Sequence, residues 1–122
     1  MAVCIPFLGV PDIAKAITWY QDIGFSCTGS SRFWEPDKEL TWAQLEWEGA
    51  AFMIFPSLKH NKNEVKDAGL YFKTSHVNGL VDKLKLHARI IELTEEPFTG
   101  KVEVVFEDLN SFRITFSCQG SV

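Results

Sequence analysis

The chain has 122 residues, 46% hydrophobic and 23% charged, which is typical of one soluble globular domain with a buried core. Its net charge of −4 argues against a nucleic-acid partner, because phosphate binding needs a basic surface. No apolar run approaches the roughly 18 residues of a membrane-spanning helix, so no membrane partner is expected. Three cysteines without a CxxC pair (Cys4, Cys27 and Cys118) predict free thiols and a cytoplasmic location.

The first predicted elements are a strand over residues 3–10 and a helix that follows it. Asp12 is the predicted N-cap, because its carboxylate can accept from free N–H groups of the first helical turn. Apolar residues then recur at i, i+3, i+4 and i+7, as on one face of a helix: Ile13, Ala16, Ile17 and Tyr20. Gly24 marks the predicted end of the helix, since glycine tolerates a left-handed backbone.

The same pattern recurs 64 positions later, from residue 13 to residue 77. Ser75 is the predicted N-cap of the second helix, and its apolar stripe is Val77, Leu80, Val81 and Leu84. Residues 39–55 also align with residues 100–116 at an offset of 61. Each half therefore predicts one βαβββ module of an α+β fold: a first module over residues 1–56, a linker over 57–68 and a second module over 69–122, together one domain.

Alternation in the last two strands of each module predicts two different faces. Residues that are apolar in both halves should pack beneath the helices: Ala43, Leu45, Ala51, Met53 and Phe55, with Val104, Phe106, Phe112, Ile114 and Phe116. The opposite face should carry Trp42, Gln44, Glu46, Phe52 and Ile54, with Glu103, Val105, Arg113, Thr115 and Ser117. This second face mixes aromatic, charged and polar groups, so it should face solvent or line a groove.

The duplicated plan and a helix signature resemble the vicinal-oxygen-chelate superfamily, which includes glyoxalase I, extradiol dioxygenases, fosfomycin-resistance enzymes and bleomycin-resistance proteins. The signature residues are Val10, Asp12, Ile13, Ala16, Trp19, Tyr20, Gly24 and Phe25. The resemblance covers essentially the whole chain. It implies two tandem βαβββ modules that form curved sheets around a cleft, often completed by module exchange in a homodimer.

The resemblance also implies a divalent metal in the cleft, held by His or Glu side chains at four positions. Those positions hold Ile5, Ile54, Gly69 and Thr115. Isoleucine and glycine offer no side-chain donor, and a lone threonine hydroxyl is a poor ligand for a hard cation. The sequence therefore predicts no metal, no cofactor and no catalytic residue, and a binding protein in place of an enzyme.

Residues 32–49 contain three of the four tryptophans and five acids, a combination that suits a flat or cationic ligand. The alternative is that the tryptophans cover a hairpin and the acids are solvated. The predicted cleft is lined by Trp42, Gln44, Glu46 and Phe52 from one module and by Glu103, Val105, Arg113 and Thr115 from the other. Phe33 and Trp34 are predicted over its mouth, and Ile5, Phe7 and Tyr71 at its floor.

Missing metal ligands and an aromatic, acidic segment most resemble the bleomycin-resistance group. This implies an antibiotic-resistance protein, a cytoplasmic homodimer that sequesters a bulky, cationic or aromatic small molecule such as a bleomycin without catalysis. Two alternatives stay open. One is a metal-dependent lyase, isomerase or dioxygenase with an atypical site, and the other is a non-catalytic interaction module with a filled cleft. Arg113 on the mixed face would also suit an anionic ligand.

Overall fold

The computed structural model describes residues 2–32, 40–57, 69–77 and 79–119. The chain divides into two compact units, Met1–His60 and Asn61–Val122. The first contains β1 (Phe7–Val10), α1 (Ile13–Asp22), β2 (Ser26–Arg32), β3 (Leu40–Trp47) and β4 (Ala50–Pro56). The second contains β5 (Gly69–Thr74), α2 (Leu80–His87), β6 (Arg89–Glu95), β7 (Val102–Glu107) and β8 (Arg113–Cys118). The predicted α+β class with tandem βαβββ units is confirmed.

The first strand of each unit pairs with the last strand of the same unit. The strand orders are β1-β4-β3-β2 and β5-β8-β7-β6. β1 runs parallel to β4, with Phe7 opposite Met53, and β5 runs parallel to β8, with Tyr71 opposite Thr115. All other neighbours described in the two sheets are antiparallel. Parallel neighbours need a long crossover, which the helix and two further strands provide.

Helix α1 begins where the sequence predicts. Asp12 has an extended backbone, and its Oδ1 accepts from the Lys15 backbone N–H at 3.1 Å. Ile13, Ala16 and Tyr20 are buried, so the predicted stripe faces the sheet. Gly24 follows the helix at φ 112°, a left-handed conformation that glycine adopts without strain. The predicted cap, stripe and stop are confirmed.

Helix α2 begins later than predicted. Its N-cap is Gly79, and the predicted cap Ser75 lies outside the helix. The Thr74 hydroxyl donates to the His76 carbonyl at 3.0 Å and accepts from the His76 N–H at 3.3 Å, which holds a turn at the predicted start. Leu80 and Leu84 are buried as predicted, and these two residues keep the helix on its sheet.

The two hairpins differ in length by one residue. Glu48 and Gly49 form a two-residue turn with positive φ at both positions (48° and 87°), which is the favoured hairpin geometry. Four residues therefore separate Glu46 from its partner Ala51. Five residues separate the equivalent pair, Glu107 and Arg113. The offset between the halves is thus 61 before the hairpin and 62 after it.

The second hairpin has one residue more than the first. A constant offset of 61 therefore assigned the residues of β4 to the wrong faces. Phe52 and Ile54 are fully buried opposite Leu45 and Ala43, so assigning them to the mixed face was wrong. Met53 and Phe55, predicted to be in the core, alternate with them on the other face. Side chains alternate along a strand with a period of two, so an error of one residue moves every side chain to the other face.

Aromatic rings fill the core of each unit. In the first, the Phe52 ring meets Tyr20 at 5.1 Å and Phe25 at 5.8 Å between centroids. In the second, Phe116 stacks on Phe72 at 4.7 Å. These cores lie between each sheet and its helix, on what we call the helix face; the other side of each sheet is its open face. Among the described residues, no helix is long and apolar enough to cross a membrane.

Candidate functional site

The residues predicted for one cleft lie on the open faces of two sheets, one in each unit. In the first unit these are Phe7 on β1 and Trp42, Gln44 and Glu46 on β3. In the second they are Tyr71, Glu103, Val105, Arg113 and Thr115. Phe52 belongs to the core, and Phe33 and Trp34 lie outside the described residues. A role in ligand binding stays a prediction for every residue on these faces.

Four side chains of the first open face form what we call the aromatic patch: Phe7, Trp42, Met53 and Phe55. Phe7 is 60% exposed and Phe55 40% exposed, and their rings meet edge to face at 6.1 Å. Met53 lies opposite Phe7 in the parallel pairing. The sequence reasoning missed Met53 and Phe55. The Glu-Gly dipeptide of the first hairpin could have revealed them, because a two-residue turn fixes which residues pair.

The Trp42 indole lies across the sheet and does not point away from it. Its Nε1–H donates to the Met53 Sδ on β4 at 2.8 Å. The opposite end of the ring system, at Cη2 and Cζ3, lies against Gly29 on β2. Trp42 therefore contacts both neighbouring strands, and its ring lies across β3. Trp42 is half-buried, and an indole that keeps a ring face exposed can stack on a planar group.

The Trp42 indole extends along β3 in the direction of Glu46. Gly29 on β2 and Met53 on β4 both pair with Gln44 on β3. Because the ring contacts Gly29 and Met53, it extends from Trp42 toward Gln44. Glu46 is the next open-face residue along β3 and is half-buried between Ser26 and Ala51. A carboxylate thus lies on the side to which the indole extends. Such an arrangement suits a planar group that carries positive charge.

The open face of the second unit is polar. The Tyr71 hydroxyl donates to Glu103 Oε2 at 3.2 Å, and the tyrosine remains 58% exposed. Arg89 and Glu107 approach at 3.7 Å between Nη1 and Oε2, and Arg113 pairs with Glu107 across the ladder. Tyr71 occupies the position that Phe7 has in the first unit. The two faces therefore offer different chemistry: apolar ring contacts in one, and hydrogen bonds and charge in the other.

The positions that the superfamily resemblance assigns to a metal do not fit a hard divalent cation. Because Phe7 pairs with Met53 as Tyr71 pairs with Thr115, the true counterpart of Thr115 is Met53, and Ile54 was misassigned. Ile5 and Gly69 offer no side-chain donor. The Met53 thioether is a soft ligand that already accepts from Trp42. Nor does the described part of the chain hold any group of three His, Cys, Asp or Glu able to bind a metal.

Several solved structures share this fold. A bleomycin-binding protein complexed with bleomycin is 11% identical with a TM-score of 0.74, covering 98% of this chain and 99% of that one. A glyoxylase/bleomycin resistance protein/dioxygenase domain from Frankia sp. EAN1pec is 17% identical with a TM-score of 0.69, covering 98% of both chains.

A third structure, the fosfomycin resistance protein FosX from Listeria monocytogenes, is 13% identical with a TM-score of 0.69, covering 97% of this chain and 93% of that one. No protein-family model and no curated protein sequence matches the chain. At these identities the similarity shows the fold, and the predicted fold of two βαβββ modules is confirmed.

Proposed function

We propose that this protein binds and sequesters a bulky small molecule that carries a planar aromatic group and positive charge, without a metal and without catalysis. The observation that supports this is the Trp42 indole, which lies on the open face of its sheet between Gly29 on β2 and Met53 on β4. An indole held in this way is prepared to stack on a planar ring. Stacked aromatic pairs contribute about 0.5–1.5 kcal/mol beyond the burial of their area.

The surroundings of Trp42 favour the same ligand class. Phe7 and Phe55 leave large parts of their rings exposed on the same face, and a ligand that covered them would remove apolar area from water. Glu46 supplies negative charge on the side to which the indole extends. Taken by itself, the open face of the second unit combines the Tyr71 ring with the Glu103 carboxylate, a pairing that also suits an ammonium or guanidinium group.

The fold indicates which ligand to test first and which oligomeric state to expect. Because one structure with this fold is a bleomycin-binding protein, metal-free bleomycin is a suitable first ligand to test. We expect the protein to act as a homodimer, as the superfamily resemblance implies. The donor set at residues 5, 53, 69 and 115 gives no support to the metal-dependent alternative.

A fluorescence titration with metal-free bleomycin tests the proposal. Binding should quench tryptophan emission, and Trp42→Ala should weaken affinity more than about tenfold, or about 1.4 kcal/mol. Trp47→Ala is the matched control, because Trp47 lies on the helix face of the same strand; its affinity should change less than about twofold. Both variants are first compared with the parent by circular dichroism.

Three results would count against the proposal. Unchanged affinity in Trp42→Ala would remove this residue from the site. Absence of any response in the unmodified protein would exclude bleomycin as a ligand. Elemental analysis that finds stoichiometric metal in protein purified without a chelator would overturn metal-independent binding.

A further inference from the structure

Gly29 lies beside the Cη2–Cζ3 edge of the Trp42 indole, and its lack of a side chain leaves room for that edge. A Cβ at this position would lie 2.8 Å from Cη2 and 3.0 Å from Cζ3 of the indole. Such distances are shorter than ordinary van der Waals contact, so the ring would have to move. Gly29 is not among the glycines with positive φ, so the backbone conformation does not require glycine here. Space for the indole is the physical reason for glycine at position 29.

Met53 holds the other end of the same ring. Its sulfur accepts from the Trp42 Nε1–H at 2.8 Å, and it lies on β4, the strand on the far side of β3. Gly29 and Met53 share one row of the sheet, since both pair with Gln44. The indole is thus fixed at two ends: by a close approach to backbone on β2 and by a hydrogen bond on β4.

We infer that Gly29 and Met53 are positioning residues, which hold the Trp42 indole in one orientation so that the site selects ligands with a planar ring. The inference rests on the proposed function, because it concerns the same site. A tryptophan fixed in its binding orientation loses little side-chain freedom when a ligand stacks on it. A tryptophan free to rotate would accept rings in several orientations and would bind each of them more weakly.

The orientation of Trp42 can be measured without a ligand. In a ¹⁵N–¹H spectrum, the indole N–H signal of Trp42 is identified by its loss in Trp42→Phe. Met53→Leu keeps a similar volume but removes the acceptor, so the indole proton should shift and exchange with solvent several times faster. Gly29→Ala should also shift this signal, whereas Ser26→Ala, on the same strand and open face, should leave it in place. An unchanged signal in both Met53→Leu and Gly29→Ala would overturn the inference.

The contribution to binding is measured by a double-mutant cycle with metal-free bleomycin as the probe. Gly29→Ala should raise Kd about fivefold in the parent protein and less than about 1.5-fold in a Trp42→Ala background. Met53→Leu should follow the same pattern, with about a threefold rise that is lost without Trp42. Equal effects in both backgrounds would show that these residues act on binding by a route other than Trp42.

The two proposals fail in distinguishable ways. If the parent protein does not bind the probe, bleomycin is excluded, and the positioning of Trp42 is decided by the indole N–H signals alone. If the probe binds and Trp42→Ala weakens it, but Gly29→Ala and Met53→Leu do not, the proposed function stands and the positioning role is refuted.

Discussion

The inverted faces of β4 predict opposite consequences for two neighbouring phenylalanines. Phe52 has no exposed surface and meets Tyr20 and Phe25 at centroid distances under 6 Å (5.1 and 5.8 Å). Burying an aromatic side chain of about 200 Å² at about 25 cal/mol/Å² contributes about 5 kcal/mol as an upper bound. Phe52→Ala should therefore lower the free energy of unfolding by about 3–5 kcal/mol, since it also leaves a cavity.

Phe55→Ala is the matched control on the same strand. Phe55 is 40% exposed, and truncation at an open surface leaves no enclosed cavity. Its cost should be about 1–2 kcal/mol, so the two variants should differ by at least about 1 kcal/mol and by as much as about 4 kcal/mol.

Urea unfolding followed by circular dichroism measures both variants under the same conditions. Because both residues belong to the first unit, the comparison holds even if the two units unfold in separate transitions. The spacing of the repeat, taken at a constant offset of 61, predicts the reverse ranking. A larger loss for Phe55→Ala than for Phe52→Ala would refute the register described above.

Two further predictions concern turns and caps. Asp108 is buried, and its Oδ1 accepts from the backbone N–H groups of Asn110 at 2.8 Å and Phe112 at 2.9 Å. Asp108→Ala should lower the free energy of unfolding by about 2–4 kcal/mol. Asp108→Asn should lower it by clearly less, because the amide oxygen can still accept both hydrogen bonds. Equal losses for the two variants in urea unfolding would contradict this. Asp12→Ala should lower the free energy of unfolding by about 1 kcal/mol through loss of the α1 cap, and Asp12→Ser by only a few tenths of a kcal/mol. Thermal unfolding measures both variants, and an unchanged alanine variant would contradict the capping role.

The elements that are set by local sequence could be predicted. For α1, the cap, the apolar stripe and the terminal glycine lie within 13 residues, from Asp12 to Gly24, and each acts on its own turn of helix. The order of the elements could be predicted because the same helix and strand patterns occur in both halves of the chain. The core faces of β3 and β7 were also predicted, because both strands precede the hairpin in which the two halves diverge.

What could not be predicted depends on contacts between segments. The faces of β4 depend on which residues pair across a turn, and a repeat aligned at one constant offset cannot show that one turn is longer. The start of α2 depends on a competing turn at Thr74, which uses the hydroxyl for local hydrogen bonds. The orientation of Trp42 depends on Gly29 and Met53, which belong to two other strands.

The extra residue of the second hairpin also predicts where the chain should tolerate the deletion of one residue. We expect the turn between β7 and β8 to absorb the loss of one codon with both strands keeping their faces, if the acceptor contacts of Asp108 are kept. Loss of one codon within β8 would instead turn Ile114 or Phe116 away from the core. In a library of single-codon deletions selected for folded protein, survivors should be concentrated in the turn and absent from the strand that follows it.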